Sequence, residues 1–114
     1  MQHRYKLWID DKCDVDPNLS NFNKDWKIAR SSKEAITIIE KSGAPYFISF
    51  DYDLGDGDTS MEFLKWFAKN YGSKKLKLEP HFDYYVHTRN KLGIYNIYNF
   101  MEGLLETYPL TTEG

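Results

Sequence analysis

Apolar residues fall along this chain in two rhythms, and the changes between them mark its elements. Tyr5-Lys6-Leu7-Trp8-Ile9 is a short apolar run cut off by Asp10-Asp11, which predicts a strand. The polar stretch Lys12–Asp25, with Pro17 and several asparagines, predicts a loop or short irregular helix, and Trp26–Arg30 a second strand. Ser31-x-x-Glu34 then forms a capping box, in which serine accepts from a free N–H while glutamate reaches back to another. Ala35, Ile38 and Ile39 make an apolar stripe behind it, ended by Gly43 and Pro45. Tyr46–Phe50 is a third strand, stopping at Asp51. A second capping box, Thr59-x-x-Glu62, opens a helix that shares Phe63, Leu64, Phe67, Ala68 and Tyr71 on one face and is closed by Gly72. Ser73–Pro80, with Lys74, Lys75 and Lys77, predicts a solvated loop or sheet edge; His81–His87 predicts a fourth strand. Ile94, Ile97, Tyr98, Met101, Leu104, Leu105 and Tyr108 repeat at helical spacing until Pro109.

Strand, loop, strand, helix, strand, helix, strand, helix is the alternation of an α/β fold: a mainly parallel sheet of about four strands flanked by helices. The first connection lacks a convincing helix yet is long enough for a parallel crossover. With 114 residues and no repeat or linker, a single domain over residues 1–114 is expected. The lone Cys13 suits a reducing compartment. No apolar run approaches the roughly 20 residues of a membrane span and the N-terminus does not read as a signal peptide, so a cytoplasmic location is expected. A net charge of −2 gives no reason to expect an extended nucleic-acid surface, though a nucleotide or RNA end held locally remains compatible with it. Aromatic residues make up 17% of the chain, and large rings in a core explain them more simply than a base-stacking platform.

Function is argued from position. In an open parallel sheet, binding residues sit just beyond the carboxyl ends of the strands. Strand one ends in Asp10-Asp11, strand three in Asp51-Tyr52-Asp53, and strand four in His87-Thr88-Arg89-Asn90, so all three clusters fall on one rim. Four carboxylates at such close quarters repel one another, and a hard divalent cation relieves that repulsion. Asp10, Asp11, Asp51 and Asp53 are therefore the candidate ligands of Mg²⁺, with Mn²⁺ an acceptable substitute. Asp53 and Asp56 are also suited to shaping turns. The run from Asp51 to Asp58 invites comparison with a calcium loop, but Gly55 stands where a ligand belongs, Asp56 where glycine is needed, and a strand precedes it. Gly55-Asp56-Gly57 reads better as a tight turn into the helix at Thr59, whose free N–H groups could face a phosphate.

His87 is the most informative single residue. On its own it could be only a satisfied structural histidine. Thr88 and Asn90 add hydroxyl and amide groups, Arg89 a guanidinium fork for phosphate, and Gly93 lets backbone come close. An imidazole among them suits general acid–base work on a phosphoester. His3 and His81 receive no role.

The strings Leu7–Asp11, Ser49–Asp58 and His87–Asn90 with Gly93 resemble the cyclic-phosphate-processing receiver domains, compact relatives of response-regulator receivers, over nearly the whole chain. The resemblance implies a flavodoxin-like fold and a metal-dependent phosphoesterase for cyclic phosphates of nucleotides or RNA ends. Carried over by motif, Asp10 and Asp11 hold the cation, Asp51 takes the receiver phosphate-acceptor position, Asp53 is the second acid, and His87, Thr88 and Asn90 form the third motif. Catalysis would fall to His87, Asp51, Thr88 and Asn90, and substrate binding to Thr88, Arg89, Asn90, Thr59 and Lys12. Tyr52 departs from the family's histidine, Thr88 from its serine, and Lys12-Cys13 from the acidic residue and arginine that often follow the first pair. No lysine is found in the place receivers use after a fifth strand, which disfavours phospho-relay by Asp51. The alternative is a non-catalytic module that binds a protein partner or sequesters a nucleotide. The Asn-, Tyr-, Lys- and Ile-rich composition would suit an AT-rich viral genome.

Overall fold

Four short strands, β1 (Lys6–Ile9), β2 (Trp26–Ala29), β3 (Phe47–Phe50) and β4 (Asp83–Val86), carry the sheet, and three helices follow the last three of them: α1 (Ser32–Ser42), α2 (Ser60–Gly72) and α3 (Lys91–Thr107). The computed structural model describes residues 4–16 and 25–110. His3 and residues 17–24 of the expected first loop, Pro17 among them, lie outside the described residues.

The strands lie in the order β2-β1-β3-β4 and every pair is parallel. Central β1 is buried along its whole length, Lys6 at its start included. Its register sets the rim: Ile9 lies opposite both Ala29 and Phe50, and Phe50 opposite Val86. The residues after each strand therefore emerge side by side, and backbone N–H groups extend the ladder one step, from Asp10 to Ala29 O, Asp51 to Ile9 O and His87 to Phe50 O.

Side chains alternate across the sheet. Leu7, Ile9, Ala29, Ile48, Phe50 and Val86 point to one face and form the core with Ala35 and Ile39 of α1, Phe63, Leu64 and Phe67 of α2, and Ile97, Met101 and Leu104 of α3. All three helices thus share one face. The crossovers from β2 to β3 and from β3 to β4 step the same way across the sheet, and right-handed connections put both helices on the same side. Trp8, Trp26, Phe47, Ser49 and Tyr85 point to the other face.

The capping signals are used with one shift. Ser31 Oγ accepts from the Glu34 N–H at 3.0 Å, and Glu34 Oε1 accepts from Arg30 N–H at 2.7 Å, one residue outside the reciprocal box. Thr59 caps α2 by accepting from Met61 N–H at 3.3 Å, while Glu62 pairs with Lys65 at 3.5 Å. Gly72 ends α2 from inside it, where the Tyr108 ring would leave an added Cβ only 3.2 Å. The lysine-rich segment is less solvated than expected, because Leu76 and Leu78 pack against the core. Among the described residues no helix is long and apolar enough to cross a membrane.

Candidate metal centre

The rim gathers three carboxylates. Asp10, Asp11 and Asp51 each offer an oxygen, and these lie within 4.8 Å of one another. They line a cavity of about 720 Å³ together with Lys12, Asp53, His87, Arg89 and Asn90. Three hard oxygen donors so close suit a divalent cation of the Mg²⁺ or Mn²⁺ kind, and no thiolate or imidazole in the trio favours a softer metal.

Each acid is held by a local device. Asp10 is 5% exposed; its Oδ1 accepts from the N–H groups of Lys12 and Cys13 at 2.9 and 2.8 Å, which folds the chain sharply after β1. Asp51 Oδ1 accepts from Tyr52 N–H at 2.8 Å, and its backbone carbonyl accepts from Ser60 Oγ at the start of α2. Asp11 lies beside Gly55, where an added Cβ would sit 3.2 Å from Asp11 Oδ2. Gly55, Asp56 and Gly57 run through the left-handed region at φ 81°, 52° and 79°, which is the tight turn expected there.

His87 closes the cluster from β4. Its ring stacks on Trp8 with centroids 3.9 Å apart and planes 6° from parallel. Nε2 meets Asp10 Oδ2 at 3.0 Å and Nδ1 meets Ser49 Oγ at 2.7 Å. A carboxylate only accepts, so Nε2 carries the proton and the Ser49 hydroxyl donates to Nδ1. Burial pushes the imidazole below its ordinary range, opposed by the hydrogen bond and charge of Asp10 and by the charge of Asp51. The ring is therefore neutral near pH 7, with both nitrogens engaged.

The remaining candidates separate by position. Asp53 lines the cavity but stands outside the trio: its Oδ2 accepts from Asn90 Nδ2 at 3.0 Å and its backbone bridges to Thr59. Asn90 caps α3, accepting from Gly93 N–H at 3.0 Å, so its amide ties that helix to the Asp53 loop. Thr88 is buried and accepts from Asn90 N–H at 3.3 Å. Lys12 and Arg89 are exposed on the cavity wall. Thr59 does not line the cavity, because capping α2 and the bridge to Asp53 occupy it. Gly93 admits the Tyr52 ring, which an added Cβ would meet at 2.4 Å, so the close approach there is by a side chain of the same chain.

Two participants escape a reading along the chain. Ser49 is the polar interruption between Ile48 and Phe50 in a buried strand, and that interruption is its signal. Arg30 follows β2 on the same rim; its guanidinium donates to Asp10 O at 3.1 Å and Cys13 O at 2.9 Å and pairs with Asp14, clamping the loop that carries Asp11.

A family model described as the cyclic-phosphate processing receiver domain matches residues 5–103. The chain belongs to that family. The matched span runs from the residue before β1 into α3, so it takes in all four strands and every member of the acidic cluster. No curated protein and no solved structure matches the chain. As a receiver domain it has the compact α/β build of four parallel strands and three helices, and Tyr52 is the residue that fills the space over Gly93.

Proposed function

We propose that this receiver domain is a divalent-metal-dependent phosphoesterase acting on cyclic phosphates of nucleotides or RNA ends. The observation that carries the reading is the convergence of Asp10, Asp11 and Asp51, with oxygens within 4.8 Å, in a chain of the cyclic-phosphate processing family. Bound to these oxygens, Mg²⁺ or Mn²⁺ would offset phosphate charge and make a water more acidic. Arg89 and Lys12 stand on the cavity wall where a phosphate could be met by cationic donors. Asp53 and Asn90 hold the α3 side of the cavity in place through their mutual hydrogen bond.

The engaged nitrogens of His87 change its part. With Nε2–H donated to Asp10, it orients that carboxylate; taking or giving a proton at Nε2 requires the Asp10 bond to open first. The lone Cys13 is compatible with work in the cytoplasm.

Thermal-shift titration with Mn²⁺ and Mg²⁺ tests the centre, followed by turnover assays on 2′,3′-cyclic nucleotides and RNA ends. A saturable rise in melting temperature that Asp51→Asn removes, together with turnover that the same change abolishes, is the expected result. Absence of any shift at millimolar metal would overturn it. A second reading, a non-catalytic module for a protein partner, draws on Leu92 and Tyr95, which stand 63% and 64% exposed on α3. Metal binding without turnover of any cyclic phosphate would favour it.

A further inference from the structure

The sheet face that none of the described helices covers holds a second cavity, of about 550 Å³, lined by Trp8, Trp26, Phe47, Ser49, Tyr85 and His87. Its size suits one small planar ligand. Its rings form a connected series: Phe47 meets Trp26 edge-on at 5.9 Å, Trp26 meets Trp8 edge-on at 5.7 Å, and Trp8 stacks on His87. His87 in turn bonds Asp10 of the acidic trio, and the two cavities share Trp8, Asp16 and His87 in their walls. The aromatic cavity is thus an extension of the acidic one down the sheet.

We propose that this face is the nucleobase subsite of the acidic centre, so that the substrate is a nucleoside cyclic phosphate and not a cyclic phosphate of a base-free polyol. The inference rests on the phosphoesterase reading for the phosphate and adds the base. Tyr85 and Trp8 both lie level with Ser49, two residues before Asp51, whereas Phe47 and Trp26 lie level with Lys6, four before Asp10. At about 3.3 Å per residue, the rings lie between roughly 7 and 13 Å from the acids along the strands. Ribose and phosphate occupy that interval.

Chemistry at the walls fits a base better than an aliphatic or anionic group. Trp26 and Phe47 are half-buried and Tyr85 is 54% exposed, so ring surface is open to stacking. Asp83 brings a carboxylate to the wall, an acceptor for ring N–H and exocyclic amino groups and repellent to a lipid phosphate.

Steady-state KM values of the Mn²⁺-loaded protein for adenosine 2′,3′-cyclic phosphate and glycerol 1,2-cyclic phosphate, or calorimetric titration where there is no turnover, test the subsite. The nucleotide is expected to bind about ten-fold tighter or more, the usual weight of one stacked base. Tyr85→Ala and Trp26→Leu should each remove most of that gain, and exposed Tyr85 keeps the test clear of folding defects. Adenosine alone should quench tryptophan fluorescence in the native protein and not in Trp26→Leu. Equal affinity for the two phosphates, or a gain that survives both substitutions, overturns the proposal. If neither phosphate binds while adenosine still quenches through Trp26, the phosphoesterase reading fails and the base subsite stands.

Discussion

The two faces of this sheet are built from alternate residues of the same four strands, yet they obey different rules. On the helical face, Leu7, Ile9, Ile48 and Phe50 are fully buried and belong to one core cluster. On the other face the residues between them are Trp8, Ser49, Tyr85 and His87, whose polar atoms are spent on the rim or left open to a cavity. The first face maximises apolar area removed from water. The second tolerates exposed rings and a hydroxyl in mid-strand, as a binding surface requires. Strand periodicity of two keeps these tasks on one backbone without conflict.

The strongest way to break this contrast is to truncate one large side chain on each face. Phe50→Ala removes a ring packed against Phe63 and Tyr84 and is expected to cost about 3–5 kcal/mol in urea denaturation. Tyr85→Ala should cost under about 0.5 kcal/mol, as at ordinary surface sites. Comparable losses at the two positions would erase the distinction between the faces.

The rim between the faces gives an intermediate effect. Gly93→Ala would normally stabilise a helix, but the Tyr52 side chain stands 2.4 Å from the new Cβ, so a loss of roughly 1–3 kcal/mol is expected. Combining it with Tyr52→Ala should restore much of that loss, and strict additivity would show the clash to be harmless. In the metal-free protein, Asp51→Asn is expected to raise stability by up to about 1 kcal/mol by relieving repulsion in the trio. The same change should abolish the gain from Mg²⁺, which for the native protein reaches about 2.7 kcal/mol at a hundred times the dissociation constant. A metal response unchanged by Asp51→Asn would place the cation elsewhere.

The smallest effect is a pH dependence on the open face. Burial lowers the His87 pKa from its ordinary 6.5, so the unfolded chain binds a proton more readily than the native protein. Stability from this residue is fully present above about pH 6.5 and is lost as pH falls toward the native value. Denaturation of the metal-free protein at successive pH values, compared with His87→Gln, checks it: the variant should lose the part of the slope just below pH 6.5. An identical slope in both would mean that the ring is not held neutral.

Local chemistry made much of the fold legible. The capping serine and threonine, the spacing of Ile94, Ile97, Met101 and Leu104, and the abrupt stops at Asp10 and Asp51 all report on neighbours within one turn or one strand, and each element appeared where they indicated. The acids that end β1 and β3 were legible for the same reason, because a parallel sheet aligns its carboxyl ends. Asn90 and Thr59 were harder to judge. A polar residue at a strand end or helix start looks alike whether it binds substrate or caps a helix; both cap helices, and Asn90 lines the acidic cavity as well.

By itself the sequence determined the order of the elements, the parallel sheet and the rim on which Asp10, Asp11, Asp51 and His87 meet, because periodicity and caps act over a few residues. Only the tertiary structure decided that Asp53 stands apart from the trio, that Ser49 and Asp10 occupy both nitrogens of His87, and that Trp26, Phe47 and Tyr85 share the face that the described helices leave uncovered. Those facts depend on which strands lie side by side and on which side the helices pack. Contacts between residues 38 and 77 positions apart are set by register and crossover direction, which no local pattern encodes.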